Sequence, residues 1–283
     1  MLGFSALVAG SFSLGASAAN HLAPEAMTAL RFAAAAVILG GITLATGQMQ
    51  ASAARAPWRY AVLGGLFGTY FVLMFYGLKT APAVSTAAVF TLTPVLSAVI
   101  GWWLLRQVTT PRMALALAVG GVGALWVIFD ADWRAAVAFQ VGRGEMIYFA
   151  GCILHAIYTP MVRKLNRGEP ALVFSFGVLV AGALVVGAAG WPALRDTPWS
   201  TLPPIVWICL IYLAVFATAA SSVLLQFAAL RLPSAKVMAY TYLTPSWVIL
   251  WEIARGNPAP PVLMLVGVGL TIVALVLLLK QEV

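Results

Sequence analysis

The sequence is built from continuous apolar runs of about 20 residues, separated by short breaks of proline, glycine and charged residues. Backbone groups in lipid need hydrogen-bond partners within the chain, so only helices and closed barrels cross a membrane. A barrel strand would show about ten residues of alternating polarity, and these runs do not alternate. With 63% hydrophobic and 8% charged residues, the chain is far more apolar than a soluble domain. The sequence therefore predicts an all-α integral membrane protein.

The breaks divide the chain into ten predicted transmembrane helices, called spans 1 to 10. The connections are short, so successive spans are expected to pack as antiparallel neighbours. The longest connection, at about 130–143, separates the first five spans from the last five. The predicted spans are residues 2–20, 24–47, 58–79, 82–105, 111–129, 144–164, 170–190, 203–230, 233–255 and 261–280.

Span 1 and the cysteines each have an alternative interpretation. Ala16-Ser17-Ala18 resembles a signal-peptidase site, but no basic region precedes the apolar stretch, which favours a retained span. Cys152 and Cys209 both lie within apolar spans, and their spacing predicts neither a disulfide nor a metal site.

Basic residues outnumber acidic ones and give the chain a net charge of +8. They are scattered at the ends of the spans, which is typical of topology signals and not of a nucleic-acid-binding stripe. With the N-terminus placed inside, ten basic residues fall on inner connections and five on outer ones. This bias predicts a multi-pass protein of a bacterial inner (plasma) membrane, with both termini cytoplasmic and no nucleic-acid partner.

Two segments repeat at an offset of 151 residues. Pro82 and Leu92-Thr93-Pro94 superimpose on Pro233 and Leu243-Thr244-Pro245. Two apolar helices that merely happened to contain proline would not be expected to share this spacing and the Leu-Thr pair. Because each half contains five spans, an odd number, the second half is predicted to be inverted relative to the first. The sequence thus predicts ten transmembrane helices arranged as two inverted five-helix repeats around a central cavity.

Five local patterns also carry a resemblance to a known family, and together they cover nearly the whole chain. They are Gly10-Ser11 in span 1; Leu30-Arg31-Phe32 in span 2; Ala87-Ala88, Leu92-Thr93-Pro94 and Trp102-Trp103-Leu104-Leu105 in span 4; His155-Ala156-Ile157-Tyr158 with Arg163-Lys164 in span 6; and Tyr242-Leu243-Thr244-Pro245 in span 9. With the ten spans and the inverted repeat, these patterns resemble the EamA-type branch of the drug/metabolite transporter superfamily.

The resemblance implies residues 1–129 and 143–283 as two EamA-like repeats around a central cavity, alternating access, and export of metabolites, amino acids or drugs. The chain departs from the family pattern at several positions. Arg106-Gln107 replaces the usual Gly-Glu after span 4, and Ala9 and His155 stand where tryptophan is common. Residues 90–94 read Phe-Thr-Leu-Thr-Pro, unlike the Asn-Tyr-Leu-Trp-Pro-like run of the aromatic amino acid exporters, so that specificity is not carried over.

Ionisable residues inside a span are costly in lipid and therefore indicate function. Arg31 in span 2 and Glu252 in span 9 are expected about 10 and about 6 Å from the outer ends of their helices, so the two could pair. They could form a structural ion pair, or Glu252 could extend outward to the interface. Alternatively, they form a gate in which Glu252 couples to protons and Arg31 receives a substrate carboxylate.

His155 lies near the middle of span 6, and Tyr158 shares its helix face. His155 is interpreted either as a neutral histidine bonded to a neighbouring helix or as a cavity residue that binds substrate or relays protons. Gln226 in span 8 could bond another helix or a substrate. Tyr70 and Tyr76 are weaker candidates, because aromatic stripes more often serve packing.

Pro94 and Pro245 are predicted to kink spans 4 and 9 and to free a backbone carbonyl in each. Transporters build midplane sites at such breaks, although a kink can also be a tolerated packing feature. The side chains around the two prolines are predicted to contact substrate; they are Phe90, Thr91, Thr93, Tyr240, Tyr242, Thr244 and Trp247.

These observations predict a secondary active transporter that exports small metabolites such as amino acids. Without a Walker motif, a proton gradient or exchange is the expected energy source, with Glu252, His155 and Arg31 as coupling or gate residues. A multidrug or hydrophobic-cation exporter is the alternative; a membrane-embedded enzyme would need clustered histidine or acidic residues. We expect no enzymatic activity, cofactor or metal, and a monomer or homodimer whose partners are a small solute and the lipid bilayer.

Overall fold

The computed structural model describes residues 1–49, 53, 55–137 and 141–279. Within these residues every regular element is helical. The α-helices are α1 (Leu2–Ala18), α2 (Pro24–Ala45), α3 (Trp58–Leu78), α4 (Ala83–Phe90), α5 (Thr93–Leu105), α6 (Pro111–Ile128), α7 (Trp133–Val137), α8 (Arg143–Leu165), α9 (Ala171–Ala189), α10 (Trp191–Asp196), α11 (Pro204–Ala214), α12 (Ser221–Ala229), α13 (Ser234–Met238), α14 (Thr244–Ala254) and α15 (Val262–Leu279). A π-helix at Val215–Ala220 and a 3₁₀-helix at Ala239–Leu243 continue two of the spans, and Trp199–Thr201 forms a short 3₁₀ turn.

By length and hydropathy, eight helical stretches of the described chain are able to cross a membrane. Span 1 is α1, an apolar helix of 17 residues. Span 9 consists of α13, the 3₁₀-helix and α14. The eight stretches are α2, α3, Ala83–Leu105, α6, α8, α9, Pro204–Ala229 and α15. The all-helical membrane fold predicted from the sequence is confirmed.

Proline and left-handed residues mark many of the helix ends. Pro24, Pro111 and Pro204 occupy the first turns of α2, α6 and α11, where a missing N–H costs nothing. Arg106 ends α5 in a left-handed conformation, with φ of 55°. These local signals explain why the predicted spans agree with the observed helices to within a few residues.

Spans 4 and 9 are both interrupted immediately before their repeated prolines. Span 4 breaks at Thr91 and Leu92, between α4 and α5, and span 9 passes through the 3₁₀-helix before Pro245. The predicted kinks are therefore present in symmetric positions. The hydroxyl groups of Thr93 and Thr241, one from each break, lie 3.4 Å apart.

The helix bundle pairs equivalent elements of its two halves. The second helices, α2 and α9, pack along each other, and so do the fifth helices, α6 and α15. Such pairing is what a two-fold relation between the halves requires. Because successive spans run in opposite directions, the connections alternate between two ends. We call the end with residue 1 and the α8–α9 connection the N-terminal face, and the other end the opposite face.

Glycines let several of these helices approach closely. Gly64 of α3 lies against the backbone of α9, so a Cβ there would collide with the Gly182 nitrogen and the Val178 oxygen. In contrast, a Cβ on the neighbouring Gly65 would meet only Val185 Cγ1, at 3.9 Å. The α3–α9 contact therefore depends on the missing side chain at Gly64.

Gly64→Ala is expected to destabilise the protein by about 1–3 kcal/mol, because backbone atoms of α9 cannot yield without moving the helix. Gly65→Ala makes the same chemical change one residue away and should leave stability unchanged or slightly raised. The thermal unfolding midpoint of the two purified variants in detergent measures the difference. Equal midpoints would contradict the close approach of α3 and α9.

Candidate functional site

Six ring side chains from α3, α4 and α8 meet in the middle of the bundle. All six are buried. His155 lies at the centre, with its ring centroid 4.5 Å from that of Tyr70 and 5.5 Å from that of Phe90. This group is called the aromatic cluster and consists of Phe67, Tyr70, Phe90, Tyr148, His155 and Tyr158.

Polar atoms in and beside the aromatic cluster form a short network. The hydroxyls of Tyr70 and Tyr148 share a hydrogen bond of 3.0 Å. Gln226 Nε2, from α12, donates to the hydroxyl of Tyr158 at 3.0 Å. His155 Nδ1 and Gln226 Oε1 are buried without a hydrogen-bond partner among the described residues. Because unmade buried hydrogen bonds are expensive, these two atoms are candidates for contact with a ligand.

Arg31 of α2 is fully buried and packs beside the same region. Its guanidinium carbon lies 3.8 Å from the centre of the Phe71 ring. Nε donates to Thr218 Oγ1 at 2.8 Å, and Nη2 donates to the carbonyl of Ala217 at 3.1 Å. Nη1 has no partner in the described part of the chain, and none of the described acidic side chains forms an ion pair with Arg31.

The partners of Arg31 come from the π-helix in span 8. A π-helix has an extra residue per turn, which displaces backbone groups from the ordinary helical ladder. Here Ala217 and Thr218 turn a carbonyl and a hydroxyl toward α2. The local irregularity therefore provides the neutral acceptors that hold a buried cation in place.

The predicted pairing of Arg31 with Glu252 is wrong. Glu252 is half-buried near the end of α14, where it hydrogen-bonds to Asn257 and lies 3.6 Å from Arg255. Asn257 therefore binds Oε2, while Oε1 is buried without a hydrogen-bond partner among the described residues, and Arg31 has its own partners across the bundle. The error arose because equal depth along two helices does not place their side chains on facing surfaces.

The backbone carbonyl groups freed at the proline breaks accept hydrogen bonds from within the protein. Pro94 removes the N–H that would bond Phe90 O, and Thr93 Oγ1 donates to that oxygen instead, at 2.6 Å. In span 9, Pro245 frees the carbonyl of Thr241, which accepts a hydrogen bond from the Thr244 N–H. The expectation that freed carbonyls would face a cavity is not met in this conformation.

The predicted residues around Pro245 do not meet at one site, because each lies in different surroundings. Tyr242 is buried in a separate cluster between α6 and α15, against Gly120, and Tyr240 packs at the edge of that cluster. Trp247 Nε1 donates to Ser5 Oγ of α1 at 3.2 Å. Thr244 is buried, and its hydroxyl has no partner among the described residues.

The structure therefore brings only some of the predicted residues together. Tyr76 is 37% exposed and donates to Glu25 at the opposite face, outside the aromatic cluster. Those that meet in or beside the cluster are Tyr70, Phe90, His155, Tyr158, Gln226 and, next to Phe71, Arg31.

Sequence reasoning missed Tyr148 and Thr218. Tyr148 precedes His155 by seven residues, two turns of α8, so helical periodicity was a signal that could have identified it. Thr218 faces Arg31 because of the π-helix, which has no comparable sequence signal.

Different polar contacts hold the two ends of the bundle. At the N-terminal face, Arg59 Nη2 donates to Glu169 at 2.6 Å, and both side chains are buried. Burial acts to raise the pKa of Glu169, but hydrogen bonds from Arg59 and from the Arg167 backbone outweigh it and lower the pKa. At the opposite face, Ser85 donates to Glu145 at 2.8 Å.

The cavities among the described residues include three outside the aromatic cluster: between α5 and α6, between α4, α6 and α8, and beside Glu252. Among the described residues, no group of three histidine, cysteine or acidic side chains is placed to hold a metal ion.

Comparison with known proteins identifies the family. YyaM of Bacillus subtilis (strain 168), an uncharacterised transporter, is 24% identical over 91% of this chain and 85% of its own length. The S-adenosylmethionine/S-adenosylhomocysteine transporter of Chlamydia trachomatis serovar L2 is 27% identical over 62% of this chain, and the match spans 55% of that protein.

A solved crystal structure shares the fold, with a TM-score of 0.74 at 21% identity, covering 98% of this chain and 94% of that one. Residues 1–129 and 142–280 match the EamA-like transporter family. Since these two matches take in almost the whole sequence, the chain belongs to the EamA-like transporter family, within the drug/metabolite transporter superfamily.

Proposed function

We propose that this transporter exports small metabolites such as amino acids by alternating access, driven by a proton gradient or by exchange. The burial and incomplete hydrogen bonding of Arg31 are the observation that supports this class of substrate. A buried guanidinium with one unpartnered nitrogen, and no acidic partner among the described residues, is a receptor for a carboxylate. Such a site would reject substrates that lack the anion, because the cation would then remain unpaired.

The aromatic cluster supplies the second half of the proposed site. Phe71 links it to Arg31, since Phe71 lies under the guanidinium and its ring centroid is 4.6 Å from that of Tyr70. An apolar or aromatic part of the substrate would pack on these rings, and His155 and Gln226 would offer hydrogen bonds. The relative in Chlamydia fits this chemistry, because S-adenosylmethionine joins an amino-acid carboxylate to an aromatic base.

Alternating access would proceed by motion of the two repeats, residues 1–129 and 143–283, about the paired breaks in spans 4 and 9. Contacts join the repeats near both ends in this conformation: Arg59 with Glu169 at the N-terminal face, and Ser85 with Glu145 at the opposite face. The excess of basic residues on the connections of the N-terminal face supports a cytoplasmic location for both termini.

Proton coupling is proposed for Glu252 and His155. Glu252 borders a cavity of about 230 Å³ at the opposite face, so protons can reach it from that side. His155 lies among the rings that would contact substrate, which would allow its protonation to depend on occupancy. Arg31 completes the proposed gate as the group that the substrate neutralises.

A hydrophobic cation is the second candidate substrate, since the aromatic cluster could stack on it. The buried positive charge of Arg31 disfavours this alternative at the central site. A membrane-embedded enzyme is disfavoured by the absence of clustered histidine and acidic side chains in the residues that the structure describes.

Arg31→Ala is expected to weaken binding of amino acids by about 10-fold to 100-fold, the equivalent of a lost charge-assisted hydrogen bond. Binding of hydrophobic cations should be unchanged or improved. Arg31→Lys keeps the charge and should retain part of the amino-acid affinity. Thermal shift of the purified proteins against amino acids, nucleosides, sugars and cationic drugs measures all of these, and equal amino-acid shifts in wild type and Arg31→Ala would rule out the carboxylate receptor.

Glu252→Gln is expected to abolish uptake driven by a pH gradient in proteoliposomes, while substrate counterflow without a gradient persists. Asp196→Asn, an exposed acid at the same face, is the matched control and should behave as wild type. Unchanged proton dependence in Glu252→Gln would remove this carboxylate from the coupling mechanism.

A further inference from the structure

A cavity of about 460 Å³ lies between α4, α6 and α8, away from the aromatic cluster and toward the opposite face. The described residues that line it are almost entirely apolar and include one charged side chain, Glu145. The lining residues are Val89, Leu92, Leu125, Ile128, Phe129, Val141, Glu145, Met146 and Phe149.

Glu145 is unusual for an acidic residue near lipid, because it is only 8% exposed. Its Oε1 accepts one hydrogen bond, from Ser85, and none of the basic side chains described by the structure forms an ion pair with it. Gly142 makes room for the carboxylate, since a Cβ there would collide with Oε2. A buried carboxylate without a cationic partner is costly, so a cation that supplied the missing charge would be stabilised.

A second acid strengthens the negative potential at this end of the cavity. Asp130 follows α6 directly after Phe129, in a left-handed conformation with φ of 52°. Asp130 is exposed, but partial desolvation and the charge of Glu145 raise its pKa. Both carboxylates thus act on the same region, where a positive charge would relieve their repulsion.

The charge and the apolar walls are separated along the membrane normal. Glu145 occupies the first turn of α8, at the end of the bundle, and Phe149 lies one turn deeper, about 6 Å along the helix. Leu92 and Leu125 extend the apolar wall on the other helices. A ligand with a charged head and an apolar body would match both features at once.

We propose that this cavity is a second binding site, which takes an amphipathic organic amine with its ammonium group on Glu145 and its apolar part against Leu92, Leu125 and Phe149. Its volume suits one small molecule, within the range of about 300–1,000 Å³ of ligand pockets. A two-chain phospholipid is larger than this space. This site would select a cation, whereas Arg31 is proposed to select an anion. The second site does not depend on the function proposed for the centre.

An amine in this cavity would contact Val89 and Leu92, which border the break between α4 and α5. It would therefore pack against the break in span 4. The expected consequence is stabilisation of the bent conformation, measurable as a higher unfolding midpoint.

The probe is 4-phenylbutylamine, with 4-phenylbutanol as its uncharged match, added to the full-length protein in detergent. The amine is expected to raise the unfolding midpoint in a saturable manner, and the alcohol is expected to have a much smaller effect. Glu145→Gln keeps the acceptor for Ser85 but removes the charge, and should weaken the amine's apparent affinity at least about 10-fold. Asp132→Asn changes an exposed acid in the same connection and should keep the wild-type response.

Leu125→Trp tests the cavity independently of the charge, because the larger ring fills the apolar wall while Glu145 stays intact. It should also abolish the amine response, whereas both variants should keep a cooperative unfolding transition without the probe. An unchanged amine response in Glu145→Gln or in Leu125→Trp would overturn the proposal. Stabilisation by added phosphatidylethanolamine but not by 4-phenylbutylamine would overturn it too, and would identify a lipid as the occupant.

Discussion

The need to satisfy every backbone N–H and C=O inside lipid is the constraint on which the rest of this structure depends. Most spans meet it with an unbroken helical ladder. Apart from Pro160, which removes one bond inside α8, the ladder of the described spans is disturbed at three places: the break between α4 and α5, the 3₁₀-helix before α14, and the π-helix of span 8. At each place a polar side chain donates a hydrogen bond to a backbone carbonyl. The donors are Thr93, Thr241 and Arg31, respectively.

The side chains that replace bonds of the helical ladder also connect the two repeats. Thr93 and Thr241 face each other across the repeat boundary, and Arg31 of the first repeat holds the π-helix of the second. A movement between the repeats would exchange these side-chain bonds, while the regular helices keep their own. We therefore expect a movement between the repeats to cost least at these irregular segments.

The spans, the paired kinks and the two repeats could be predicted because they follow from local properties of the sequence. Apolar length defines a span, and the repeated prolines of spans 4 and 9 mark their breaks, whereas Pro160 lies inside the continuous helix α8. The partners of Arg31 and the location of Tyr242 could not be predicted, because both depend on which helix surfaces face each other. Tyr158 is an intermediate case: its place beside His155 was predicted from helical spacing, but its hydrogen bond with Gln226 depends on the packing of α8 against α12.

Arg31 has one further consequence, which concerns ions that are not the substrate. A guanidinium deep in a low-dielectric bundle, with only neutral partners among the described residues, creates a positive potential that water does not screen. Hydronium and metal cations crossing the same path would be repelled, as they are by positive groups in water-selective pores. Under the gradient-driven mechanism that we propose, the empty transporter would resist leakage of that gradient, and a substrate carboxylate would lower the barrier only while it is bound.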